Sequence, residues 1–225
     1  MKQNVIAIDG PAGAGKSTVA RQVAQQLGFV YVDTGAMYRA VTWRALCGGL
    51  DPTDAAAVSE LAARIDVRFA KSPVGLRIMA DGEDVTEAIR TPAVTAAVAR
   101  VSQIPAVRRA MVRLQRELAA AGGAVLDGRD IGTVVVPDAC CKIFLTATAA
   151  ERARRRWLEM REKGFEPELA ELRREMEERD RQDSERELAP LVQATDAVAL
   201  DTTGLGIEAV VDRIVAIYQD GRCRE

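Results

Sequence analysis

Gly10-Pro11-Ala12-Gly13-Ala14-Gly15-Lys16-Ser17 follows the apolar run Val5-Ile6-Ala7-Ile8 and precedes a segment of helical spacing that ends near Leu27. This octapeptide fits G-x-x-x-x-G-K-[ST] in the setting the pattern requires, with a buried strand before it and a helix after it. Glycines let the backbone curl until successive N–H groups point at one anion. The helix N-terminus adds its positive dipole end. Lys16 can neutralise β- and γ-phosphate oxygens, and the Ser17 hydroxyl can ligate a Mg²⁺ that bridges them. Residues Gly10 to Ser17, with Thr18, are therefore expected to bind the polyphosphate of ATP. A chance Gly-rich turn would not need the Lys-Ser pair.

Working outward, Val19, Val23 and Leu27 share a helix face, and Gly28 is a stop signal. Phe29 to Val32 reads as a second strand. Three further buried-strand candidates are Ala124 to Leu126, Cys141 to Leu145, and Ala197 to Leu200. A C-terminal helix follows through Ile207, Val210, Val211, Ile214 and Ile217. Five short strands with helices between them predict an α/β fold with a parallel sheet. The middle differs. Asp66 to Ala70 and Gly75 to Met79 alternate, and Asp81-Gly82 is a hairpin signal before Asp84-Val85-Thr86. That predicts an antiparallel insert, followed by one or two helices over residues 91–121. Residues 149–186 are highly charged and helical in composition, which suits a solvated helical pair or a mobile lid.

The 225 residues are 48 % apolar and 28 % charged, ordinary values for a globular protein. Thirty-one basic against 33 acidic residues give a net charge of −2, which argues against a general nucleic-acid binder. Aromatic residues are only 4 %, so a stacking surface for single strands is not expected. There is no histidine, and Cys47, Cys140, Cys141 and Cys223 lack CxxC spacing, so a zinc site has few ligands to draw on. The apolar run near Met1 is broken by Asp9 and is too short for a signal peptide or membrane span. The expectation is a reduced, cytoplasmic, monomeric protein with cysteines as small core residues or surface thiols.

Three segments outside the phosphate loop carry a resemblance. They are Asp33-Thr34-Gly35-Ala36-Met37-Tyr38-Arg39, Asp127-Gly128-Arg129-Asp130-Ile131-Gly132-Thr133, and Arg179-Asp180-Arg181-Gln182-Asp183-Ser184-Glu185-Arg186 with Leu188-Ala189-Pro190-Leu191. Together with Val101 to Gln115 they resemble bacterial cytidylate kinases, over essentially the whole chain. The resemblance implies a P-loop NTPase three-layer fold with a five-stranded parallel sheet. It implies a core of about 1–33, 122–150 and 195–225, an NMP-binding insert of about 34–121, and a helical lid of about 151–194. The implied reaction is Mg²⁺-assisted transfer from ATP to CMP, and to dCMP.

Bottom-up chemistry agrees with this. A monophosphate acceptor is a dianion that needs convergent cations, and Arg39 and Arg129 lie just after strand ends, where α/β ligand sites form. Thr34 can add a hydroxyl or backbone donor. Arg39 also suits a solvated helix position. Cytosine offers an amino donor at N4 and acceptors at N3 and O2, which call for a carboxylate and an arginine. The resemblance assigns these roles to Asp130 and Arg108. It gives Arg179 and Asp183 to the ribose hydroxyls and Arg186 to the transferring phosphoryl group. Ion pairing or a charged helix face is the competing reading for these five. Asp127 at a strand end could orient water on Mg²⁺ or simply end the strand.

Among Arg152, Arg154, Arg155 and Arg156 at the start of the lid, Arg154 and Arg155 are expected to reach ATP. One departure stands out: the family's cytosine-contacting serine is Ala99 here, with Ser102 a turn away. A lost neutral hydrogen bond costs about 1 kcal/mol, enough to relax cytosine-over-uracil selectivity. A different small acceptor, or a regulatory NTP-binding module, remains the alternative.

Overall fold

The computed structural model describes residues 3–72, 75–162 and 164–221, so Cys223 lies outside the described residues. The chain begins with β1 (Gln3–Asp9), α1 (Lys16–Leu27), β2 (Val30–Asp33) and α2 (Thr34–Cys47). It continues through α3 (Ala55–Arg64), the strands β3 (Val67–Ser72), β4 (Gly75–Ala80) and β5 (Glu83–Asp84), and a 3₁₀ turn at Ala88–Arg90. Helices α4 (Pro92–Val101) and α5 (Pro105–Ala120) lead to β6 (Ala124–Gly128), a π-helical turn at Ile131–Val135, and β7 (Ala139–Thr146). Then come α6 (Ala149–Glu162), α7 (Leu169–Glu185), β8 (Val198–Asp201) and α8 (Ile207–Gln219).

Two compact units divide the chain: residues 1–32 with 118–225, and residues 33–117. The first holds the five-stranded sheet, in the order β2-β6-β1-β7-β8. The pairings of β1 with β6 and β7, and of β7 with β8, are parallel. Val5, Ile6, Ala7 and Ile8 are all fully buried, so both faces of β1 are covered, as a central parallel strand requires. On one face, Val19, Ala20, Val23 and Ala24 of α1 pack with Val210, Val211, Ile214 and Val215 of α8 over Ile6, Ile8 and Ile143. Gly28 ends α1 at φ 68°, its N–H turned back to Ala24 and Gln25. Phe29 meets Tyr218 edge-on at 5.6 Å.

The second unit pairs an antiparallel sheet, β3-β4-β5, with helices. Asp81 (φ 50°) and Gly82 (φ 85°) make the two-residue turn between β4 and β5 that the Asp-Gly signal anticipates. Asp33 caps α2 by accepting from the Ala36 N–H at 2.9 Å. Thr91 and Pro92 start α4 as N-cap and first helical residue.

Two elements went unforeseen. Helix α3 has a short apolar face of Val58, Leu61 and Ala62 in an Ala-rich stretch, too little for a periodicity argument. Its start was marked by Asp54, whose carboxylate accepts from Ala56 and Ala57. The π-helical turn after Asp130 has no propensity signal and is held by tertiary contacts, the Ile131 and Gly132 N–H groups both donating to Asp9. Strands β1, β6 and β7 extend one or two residues beyond the apolar runs, because backbone pairing does not stop at the last apolar side chain, while β2 and β8 are shifted one residue toward the C-terminus.

Ile8 sits in the centre of the sheet core. Ile8→Ala should lower unfolding free energy by about 2–5 kcal/mol, read as a lower urea midpoint at unchanged slope. A midpoint equal to wild type would mean that β1 is not a central strand.

Candidate active site

The parallel register brings Asp9 beside Gly128, so the loops after β1 and β6 leave the sheet at the same edge. Gly10 has φ 144°, and a Cβ there would stand 2.0 Å from the Leu145 carbonyl oxygen. No other residue fits that passage, and the chain is steered away from β7 into the loop. Gly15, at φ 89°, is the N-cap of α1. Lys16 is buried, with its Nζ donating to the Pro11 carbonyl at 2.7 Å across the loop. Burial, then the neighbouring Arg129 and Arg179, push the Lys16 ammonium well below its usual range, against the opposing pull of Asp127 and Asp9.

Ser17 and Asp127 meet directly. The Ser17 hydroxyl donates to one carboxylate oxygen of Asp127 at 2.7 Å, and the Tyr31 hydroxyl donates to the other at 2.9 Å. Asp127 is thus held by α1 and β2 and stands beside the loop. Its hard oxygen donors, with those of Ser17, suit Mg²⁺. Among the described residues no group of three or more acidic, Cys or His side chains could hold a metal. A cation here would take its remaining ligands from water and from phosphate oxygens.

A charged network lies in the same unit. Arg129 donates from Nε to Asp183 at 2.8 Å. Arg186 pairs with Asp130 at 3.3 Å, both side chains nearly buried, and donates to the Ala189 carbonyl. Ala189 has φ 52°, and Leu191 N–H bonds back to the Asp183 carbonyl at 2.8 Å, so residues 188–191 fold over Arg186. Burial raises the Asp183 carboxyl, but Arg129, Arg179 and Arg186 outweigh it and hold it below the ordinary carboxylate value.

Arginines at the start of α6 behave unequally. Arg152 is buried. It donates to Ala12 O at 2.9 Å and pairs with Asp180 of α7 at 2.6 Å, and Asp180 accepts from the Ala12 N–H at 3.3 Å. Gly13 lies under Met176, whose Cε would be 2.3 Å from an added Cβ. Arg155 binds the Thr202 hydroxyl and carbonyl at 3.0 and 2.6 Å and comes within 3.7 Å of where a Gly15 Cβ would lie. Arg154 is more exposed and forms a fork with Glu151, at 2.9 and 3.0 Å.

In the second unit, Thr34 is buried at the start of α2. Arg39 donates to Thr95 Oγ1 at 2.9 Å and to Ile89 O at 3.3 Å. It therefore ties α2 to α4 and is not the solvated helix residue that spacing alone allowed. Arg108 is buried with its guanidinium 5.8 Å from the Tyr38 ring centre, and donates to Ser102 O. Ser102 donates its hydroxyl to the carbonyl of Ala99 at 3.0 Å.

The sequence profile described as Cytidylate kinase matches residues 6–220. The chain belongs to the cytidylate kinase family. A cytidylate kinase from Desulfitobacterium hafniense is 52 % identical over 221 residues, covering 98 % of this chain and 95 % of that one. A bifunctional pantoate ligase/cytidylate kinase from Synechococcus elongatus is 54 % identical over 224 residues, 97 % of this chain but only 42 % of the relative. This cytidylate kinase family member thus spans less than half of that bifunctional protein. A crystal structure of an uncharacterized protein from Eubacterium ventriosum shares the fold at a TM-score of 0.51 and 12 % identity, covering 97 % of this chain and 99 % of that one.

Sequence reasoning did not assign Asp9, Tyr31, Arg152 or Asp180. Asp9 was visible only as the end of a strand, and Asp180 only as part of a charged motif. Tyr31 carried one signal, a polar tip in an otherwise apolar strand. Asp9 is buried and accepts from the Ile131 and Gly132 N–H groups, each at 2.8 Å. Burial raises its carboxyl to about 6, opposed by those two hydrogen bonds. The folded chain therefore holds this proton more tightly than the unfolded chain. The stability from this group is fully present below about pH 4 and is lost as pH rises through about pH 6, a change on the order of 3 kcal/mol. Urea unfolding across that window should show wild type losing stability relative to Asp9→Asn as pH rises. A pH-independent difference would contradict the raised pKa.

Proposed function

We propose that this chain transfers the γ-phosphoryl group of ATP to CMP, and to dCMP, giving ADP and the nucleoside diphosphate. The observation that carries the reading is one edge of one sheet holding both a Lys-Ser phosphate loop and the Arg129–Asp183 and Asp130–Arg186 pairs. In this assignment the loop amides from Gly13 to Thr18 and Lys16 hold the β- and γ-phosphates. Mg²⁺ would be held by Ser17, with Asp127 acting through water, and would neutralise charge on the β- and γ-oxygens. Arg129, Arg39 and Thr34 grip the CMP phosphate, Arg179 and Asp183 the ribose, and Asp130 and Arg108 the cytosine edge. Arginine suits both tasks, because its planar fork grips phosphate and a base edge alike. Of the lid arginines, Arg155 is supported as an ATP contact by its approach to Gly15, and Arg154 rests only on its place at the start of the lid segment.

No histidine is needed. The attacking atom is a phosphate oxygen of CMP, largely deprotonated at neutral pH because the second pKa of a phosphate monoester is about 6. That oxygen forms the new bond to the γ-phosphorus, and the bond to the β–γ bridging oxygen breaks. ADP leaves with the electron pair. Catalysis is alignment and charge neutralisation. Lys16, Arg129 and Arg186 are the catalytic cations, and Arg152 and Asp180 brace the loop that seats the donor. The pairing of Arg186 with Asp130 does not exhaust either group, since guanidinium carries five donors and a carboxylate about four acceptor sites.

Coupled ADP-release assays with CMP, dCMP, UMP, AMP and shikimate test this. CMP and dCMP should be turned over, UMP less efficiently, and AMP and shikimate not at all. Asp130→Ala and Arg108→Ala should each lower kcat/KM for CMP by about 100-fold while ATP affinity stays within about twofold, as expected when a buried charged partner is removed. ATP binding with no ADP release on any acceptor would overturn the reading in favour of a regulatory nucleotide-binding module.

A further inference from the structure

The π-helical turn at Ile131–Val135 opens with Asp130 as its N-cap. Aspartate in that place ordinarily spends its carboxylate on the first orphan N–H groups of the turn. Here Asp130 makes no such bond. Its carboxylate faces Arg186, while its carbonyl accepts from Val134 and Val135 at 2.9 and 3.1 Å. The orphan donors are satisfied from elsewhere. Both oxygens of Asp9, at the end of β1, take the consecutive N–H groups of Ile131 and Gly132 at 2.8 Å.

The seat is closed on its other side. A Cβ on Gly132 would stand 3.1 Å from Lys142 Cδ, 3.3 Å from Lys142 Cγ and 3.4 Å from the Asp9 carboxylate. Lys142, on β7, is itself held by Asp196 at 2.8 Å. The backbone after Asp130 is therefore fixed between two neighbouring strands, close enough to Asp9 that the two carboxylates repel. A buried, mutually repelling pair of carboxylates is costly, and nothing in the phosphate loop's own geometry requires Asp9 to bond this turn.

We infer that Asp9 is a positioning residue for acceptor recognition: it caps the turn in place of Asp130, so that the Asp130 carboxylate is directed to the cytosine edge. This rests on the kinase reading and on the role of Asp130 in it. Asp9 touches neither substrate in this scheme and acts through the Asp130 backbone. Asparagine at position 9 keeps one acceptor and sets an NH₂ group against the other N–H. Alanine at position 132 would crowd Lys142 and the Asp9 carboxylate, the groups that seat the turn, without altering any charge.

The readout is the ratio of kcat/KM for CMP to that for UMP, because Asp130 reads the group that distinguishes the two bases. General loss of folded protein lowers both values equally and leaves the ratio and both KM values unmoved. Asp9→Asn and Gly132→Ala should each raise KM for CMP and lower the ratio by about tenfold, the size expected for one misplaced charged hydrogen bond, with ATP affinity near wild type. A wild-type ratio in either soluble variant, whatever the total activity, overturns the assignment. Wild type inactive on CMP would overturn the kinase reading, and this inference with it. Active wild type with unaltered ratios would overturn the inference alone.

Discussion

Everything at the functional edge follows from a lack of room. Where β1 ends, the Leu145 carbonyl of the neighbouring strand stands so near that position 10 has no space for a side chain. The chain must turn there at φ 144°, a region open to glycine and closed to almost everything else. The loop that results is seated by Arg152, Asp180 and Met176 from the helical segment and closed from within by Lys16 on Pro11. Steric exclusion, not attraction, sets the direction, and hydrogen bonds then hold it.

Around that loop, charges of opposite sign are packed at low exposure. Lys16, Arg129, Arg152 and Arg186 alternate with Asp9, Asp127, Asp130, Asp180 and Asp183. Few buried ion pairs raise stability by much, because desolvation offsets the Coulomb gain. Under the proposed function their value is preorganisation: each cation would already be oriented for a phosphate, leaving little reorganisation for the transfer. The depressed ammonium of Lys16 and the raised carboxyl of Asp9 are two signatures of that confinement, both dominated by burial.

Much of this was legible in the residues. Val5 to Ile8 and the octapeptide after it specified strand, loop and helix, and the other strand runs lay in place to within a residue or two. Asp81-Gly82 specified a hairpin because two positive φ values need such residues. Arg129 was singled out because it follows a strand end, whereas Asp130 was assigned through the family resemblance alone. What stayed hidden depends on long-range contacts. The buried brace from Arg152 to Ala12 spans 140 residues. The capping of residues 131 and 132 by Asp9 spans more than 120. Within the run of four lid arginines, spacing could not say which one turns inward, because a helix distributes them around its circumference. The structure shows that Arg152 is the buried one. Its neighbour Arg154 pairs locally with Glu151.

The proposed transfer is a single direct displacement, with two phosphates aligned by fixed dipoles and cations and with no side chain acting as nucleophile or base. Transfer from ATP made chiral at the γ-phosphorus with oxygen isotopes tests this most directly. A direct displacement inverts the configuration at the transferred phosphorus, and inversion is the expected result in the CDP formed from CMP. Net retention, which requires two successive displacements through a phosphorylated enzyme, would contradict it.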